Sequence, residues 1–180
     1  MESIFSKIKS YTPTMKRDSK EDYLTEIFAF ILQNIEGLSN SYCEFLMGKA
    51  NNINIVNPIS NSEQVNVYTQ YAVESGRIDL LIEYPGYIFI CEHKIYSSLS
   101  CNQINKYYND LKKKSNDTIY TVLITASKVQ HTQKANVKLV WGDICKFLAS
   151  GSLRTPQVPP GTDKHKFDIW RGTCFEISFW

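Results

Sequence analysis

The spacing of apolar residues changes several times along the chain, and each change marks an element. Over residues 20–34 the spacing is helical. Tyr23, Ile27, Phe30 and Ile31 form one stripe, with Leu24, Phe28 and Leu32 beside it. Most of that helix surface is apolar, so the helix is expected to be largely buried. Ser19 and Asp22 suit a capping box at its start, and Gly37 suits its stop. Residues 39–61 are less regular. Tyr42, Phe45 and Leu46 allow a short second helix, and the Asn-rich stretch after it reads as a loop or short strand. From 64 to 73 the spacing shortens, with Val65 and Val67 followed by Tyr68, Tyr71 and Val73, which predicts the first core strand.

Two more apolar runs follow, 78–83 and 88–92, joined by Tyr84-Pro85-Gly86-Tyr87. Pro presets φ at the second turn position and Gly accepts a positive φ at the next, so residues 77–94 read as a hairpin. With Pro85 and Gly86 at the loop centre, Asp79 lies opposite Glu92 and Arg77 opposite Lys94. Strand side chains alternate, so Asp79, Glu92 and Lys94 share a face. Facing carboxylates repel, more strongly where the local dielectric is low. A divalent cation between them reverses the sign, and Mg²⁺ uses one or two carboxylates plus water and phosphate. Lys94 would then hold a phosphate oxygen or a water beside the metal. The plain alternative is a solvent-facing hairpin in which Arg77 and Lys94 neutralise the acids. Strands this apolar speak against it.

Residues 98–114 read as a helix with the stripe Ile104, Tyr107, Tyr108 and Leu111. Gln103 and Tyr107 are four apart and share a face. Residues 118–125 read as a buried strand which, following a helix, pairs by crossover and parallel to its neighbour. A helix over 130–136, a strand over 137–141 and a last helix over 144–149 capped by Asp143 complete the reading. The chain thus divides into a polar lead-in (1–19), a domain (20–149), and a linker and tail (150–180). The linker is rich in Gly, Ser, Thr and Pro, and Phe175, Ile177 and Phe179 alternate as in an edge strand. Helix, three antiparallel strands, helix, strand is the order of an α/β sandwich with a mixed central sheet.

Composition narrows this only a little. A chain of 180 residues, 43% hydrophobic and 21% charged, suits one soluble domain. A net charge of +2 neither requires nor excludes nucleic acid. No apolar run approaches the roughly 20 residues of a membrane span, and MESIFSKIKS lacks the apolar core of a secretion signal. Five irregularly spaced cysteines suit free thiols in a reducing cytoplasm. Cys91, His93 and Cys101 invite a zinc reading. However, period two turns Cys91 and His93 away from the acids, and there is no C-x-x-C pair.

At the hairpin and its flanking helices the chain resembles the PD-(D/E)XK nuclease superfamily, and most of all its bacterial and phage nucleases. In that superfamily an Asp on the second core strand and an acid-x-Lys on the third make the metal and catalytic site. Asp79, Glu92 and Lys94 match them. A Glu on the first core helix is matched by Glu26, and a Gln and a Tyr on the following helix by Gln103 and Tyr107. The match runs over about residues 20–148, and it departs from the motif where Ile78, not Pro, precedes Asp79. The resemblance implies a restriction-endonuclease-like α/β sandwich, an αβββαβ core with a mixed central sheet flanked by helices. It also implies a Mg²⁺- or Mn²⁺-dependent hydrolase of phosphodiester bonds in DNA. Asp79 and Glu92 would hold the metal, with the carbonyl of His93 as a further ligand. Lys94 would act on the attacking water, Glu26 would assist, and Gln103 and Tyr107 would contact substrate. DNA is the implied partner, with a homodimer or a partner protein left open. The rival is a non-catalytic nucleic-acid-binding or assembly module that keeps the fold.

Overall fold

Helix α1 (Lys20–Asn34) occupies the span its apolar spacing predicts. Gly37, at φ 72°, lets the chain reverse within a few residues into α2 (Leu38–Asn51). α2 is longer than the short helix expected, because Leu38, Tyr42, Cys43, Leu46 and Met47 carry one buried stripe along it. This computed structural model describes residues 20–51, 64–95, 100 and 102–150. The expectations for residues 1–19, for the Asn-rich stretch over 52–63, for Cys101 and for the tail over 151–180 lie outside the described residues.

Strands β1 (Asn66–Val73), β2 (Gly76–Tyr84) and β3 (Tyr87–Lys94) form an antiparallel meander. Helix α3 (Gln103–Lys112) then crosses over to β4 (Thr118–Thr125), which lies parallel to β3, and β5 (Val137–Val140) lies parallel to β4. The result is a five-stranded mixed sheet in the order β1-β2-β3-β4-β5, the αβββαβ core expected from the sequence. Odd-numbered residues of β3 face α1 and α2, where Phe28 meets His93 and, edge-on, Tyr42 and Trp141. On the other side Ile88 and Ile90 pack against Tyr107 and Leu111 of α3.

Register is what positions the site. β2 and β3 pair from Tyr84 with Tyr87 to Leu80 with Cys91, as the Pro-Gly turn dictates, and the ladder ends there. On the other side of β2, Thr69 pairs with Leu80 and Tyr71 with Ile78. Between them the pairing skips Gln70, whose φ is 52°. Asp79 is therefore a β2 position paired to neither neighbour. Its carboxylate accepts the His93 N–H at 2.9 Å instead.

Three boundaries differ from expectation. α3 begins at Gln103, because Asn102 is left-handed (φ 55°) and Gln103 Oε1 accepts from the Ser100 N–H and hydroxyl, which holds a turn ahead of the helix. No helix forms over 130–136. A single 3₁₀ turn, Lys128–Gln130, is closed by a capping box between Ser127 and Gln130, and Asn136 uses its Oδ1 on the N–H and hydroxyl of Thr121. Helix α4 (Trp141–Ala149) starts before Asp143, which lies in its first turn, where negative charge suits the helix dipole. The chain divides into two compact units, Met1–Trp141 and Gly142–Trp180, and the sheet belongs to the first. No described helix is long and apolar enough to cross a membrane.

Candidate active site

Asp79, Glu92 and Lys94 come together where the β2–β3 ladder stops. Lys94 Nζ lies 2.8 Å from Glu92 Oε1 and 3.6 Å from Glu21 Oε2. Gln103 Nε2 donates to the same Glu92 oxygen at 2.7 Å and to the Tyr107 hydroxyl at 3.0 Å. The other oxygen, Glu92 Oε2, is buried with no hydrogen-bond partner. Glu92 is 0% exposed and the Lys94 side chain 12%, so this is not the solvent-facing hairpin of the plain alternative. Arg77 does face solvent, and its guanidinium stands 4.0 Å from Asp22.

Burial, and next the charge of Asp79, pushes Glu92 up to about 8 against the pull of Lys94. Burial likewise raises Asp79 to about 6, with Lys94 and the His93 N–H opposing it. Burial works against the charge on Lys94, but Glu92 and Asp79 outweigh it and raise the ammonium above its ordinary value. One cationic side chain thus faces three acids, of which Asp79 and Glu92 resist ionising together. A second positive charge would relieve them, and the unpartnered Glu92 Oε2 offers it an oxygen. No group of three or more His, Cys, Asp or Glu side chains is assembled for a metal among the described residues. Mg²⁺ needs only one or two carboxylates, completed by carbonyl, water or phosphate oxygens, so the donor set fits a hard divalent cation.

The α1 acid beside Lys94 is Glu21, whose Oε1 also accepts the Ile95 N–H at 2.7 Å. Glu26 is buried too, 2% exposed, roughly one and a half turns further along the helix. In the sequence Glu21 looks like part of a helix start, which hid it. Thr25, four residues on and on the same face, shows which side of the helix meets the strand, since its hydroxyl lies 2.7 Å from His93 Nδ1.

A family model described as the PD-(D/E)XK nuclease superfamily matches residues 13–153. The chain belongs to the PD-(D/E)XK nuclease superfamily. No curated protein and no solved structure matches it. PD-(D/E)XK nucleases generally use divalent metal ions, which agrees with the donor set found at the end of the β2–β3 ladder.

In this PD-(D/E)XK chain the support around Glu92 depends on close backbone approach. Gly76 (φ 151°) lies against Tyr107, and a Cβ there would stand 3.2 Å from the ring Cε1 and the hydroxyl. Gly76→Ala is expected to lower stability by about 1–2 kcal/mol, a Tm lower by about 2–8 °C, by displacing the ring that holds Gln103. Thermal melting checks this, and an unchanged Tm would contradict it.

Proposed function

We propose that the chain is a divalent-cation-dependent nuclease that hydrolyses phosphodiester bonds in DNA, with Mg²⁺ or Mn²⁺ as the cation. The strongest support is Glu92. It is a fully buried carboxylate with one oxygen held by Lys94 and Gln103 and the other unpartnered, close to Asp79. Lys94 is one positive charge shared among Glu92, Asp79 and Glu21, so ionising the buried carboxylates costs stability unless further positive charge binds. Asp79 and Glu92 would hold the cation, with the His93 carbonyl as a further ligand. When bound, it neutralises charge on the phosphate and makes water a better nucleophile. Lys94, kept protonated by its acids, donates from Nζ toward the water or a phosphate oxygen and opposes the negative charge that builds there. Glu21 rather than Glu26 takes the place of the helix acid in this reading. Gln103 and Tyr107 act mainly by orienting Glu92, since the Gln103 amide is already engaged by Glu92 and Tyr107.

Lys94→Met is expected to bind Mn²⁺ at least as tightly as wild type, because a competing positive charge is gone. Its cleavage should be about 10²–10³-fold slower. Rates on single-stranded DNA, double-stranded DNA and RNA in Mg²⁺ would give both the effect and the substrate form. Wild type that binds these nucleic acids but cleaves none of them would favour the non-catalytic binding module.

Cation and protons compete for the same oxygens. With Glu92 raised to about 8 and Asp79 to about 6, affinity should rise by up to about tenfold per pH unit between pH 6 and 8, then level off. Calorimetry in buffers of different ionisation enthalpy measures the accompanying proton release. Affinity that stays flat over that window contradicts the prediction.

A further inference from the structure

We propose that Thr25 and His93 form a positioning pair that ties the first turn of α1 to the Glu92-His93-Lys94 strand through the Nδ1–H tautomer of His93. His93 occupies the middle of the acid-x-Lys motif, and strand alternation turns its ring away from the acids. The ring is fully buried, 6.4 Å from Phe28 and 4.9 Å from Trp141 between ring centres. An apolar side chain would pack there at less cost than an imidazole, so the ring nitrogens need a reason.

Thr25 supplies one. Its Oγ1 donates to the Glu21 carbonyl at 2.9 Å and lies 2.7 Å from His93 Nδ1. A hydroxyl has a single proton. With that proton on the Glu21 carbonyl, Oγ1 can only accept from the ring, so Nδ1 carries the hydrogen and Nε2 is bare. His93 Nε2 and the Trp141 indole N–H are both buried without hydrogen-bond partners, in rings that meet edge-on.

The pair closes a circuit around the site. The His93 N–H holds Asp79, the His93 ring holds Thr25, and Thr25 holds the turn that carries Glu21. Glu21 in turn accepts from Ile95 and faces Lys94. Thr is a poor helix former, and the useful part of Thr25 here is its hydroxyl. Without it, the His93 Nδ1–H loses its acceptor, and the turn that carries Glu21 loses one of its ties to the strand.

The kinetic arm of the test rests on the nuclease reading, but the spectroscopic arm does not. In the metal-free protein at pH 8, imidazole ¹⁵N shifts of His93 should show a protonated Nδ1 and a bare Nε2. An Nε2–H tautomer in wild type overturns the proposal, whether or not the protein is a nuclease. Thr25→Val is expected to lower kcat about 10–100-fold with little change in KM, and Thr25→Ser to restore it to within about threefold. Normal kcat in Thr25→Val, or a folded Thr25→Ser as slow as Thr25→Val, also overturns it. If Thr25→Val fails to fold, the wild-type tautomer and the Thr25→Ser rate still decide.

Discussion

Asp79→Asn is expected to abolish cation binding and to slow cleavage by at least about 10³-fold without harming the fold. The substitution is close to isosteric. Asp79 Oδ2 accepts the His93 N–H, and an Asn side-chain oxygen can accept the same bond, so the local backbone keeps its support where the ladder stops. What is lost is charge. Burial holds Asp79 up at about 6, so its proton is bound more tightly in the folded chain than in the unfolded one. The stability this provides is complete below the ordinary carboxylate value and is lost as pH rises through about 6. Asn stands in for the protonated form, and at pH 7 the metal-free variant should melt no lower than wild type. Melting curves alongside calorimetric Mn²⁺ titration and a cleavage time course check both halves. A variant that still binds Mn²⁺ like wild type would remove Asp79 from the site.

Glu92→Gln should show the opposite signs for function and stability more sharply. Glu92 is fully buried and raised to about 8 from 4.5. Its contribution to metal-free stability is complete below pH 4.5 and lost as pH climbs through 8. Gln mimics the protonated acid and keeps an oxygen for Lys94 and Gln103. The variant should therefore match wild type near pH 4.5 and exceed it at pH 8.5 by about 1–3 kcal/mol, or about 2–4 °C in Tm for each kcal/mol. Mg²⁺ should raise the Tm of wild type and not that of the variant, and cleavage should fall by about 10³-fold. A variant less stable than wild type at pH 8.5 would contradict this account of why the carboxylate is there.

The hairpin was the most legible part of the chain, because Pro85-Gly86 fixes a register and period two then assigns faces. The pairing from Tyr84–Tyr87 to Leu80–Cys91 follows from that alone. The break at Asp79 was not legible, since it depends on the left-handed Gln70 and on a carboxylate replacing a main-chain acceptor. Gln103 and Tyr107 were readable as a pair because helical neighbours four apart must share a face. Their partner, Glu92, needed the packing of α3 on the sheet. Glu21 stayed hidden for a different reason. α1 is apolar over most of its surface, so its sequence carries little information about which side faces the strand. Rotation about the axis is set by Phe28 and Leu32 in the core, and only then does the first turn meet Lys94. Only the stretch over 130–136 was misread, as a helix, because side-chain bonds such as that from the Thr121 N–H to Asn136 organise it, and these have no periodic signature.

The most direct test of the central claim is titration of the wild-type protein with Mg²⁺ and Mn²⁺ at pH 8, with DNA cleavage followed on the same preparation in cation and in excess chelator. The expected result is saturable cation binding, and cleavage that appears with the cation and stops with the chelator. A well-folded protein that binds neither ion and leaves every nucleic acid intact would contradict the claim that Asp79, Glu92 and Lys94 form a working nuclease site.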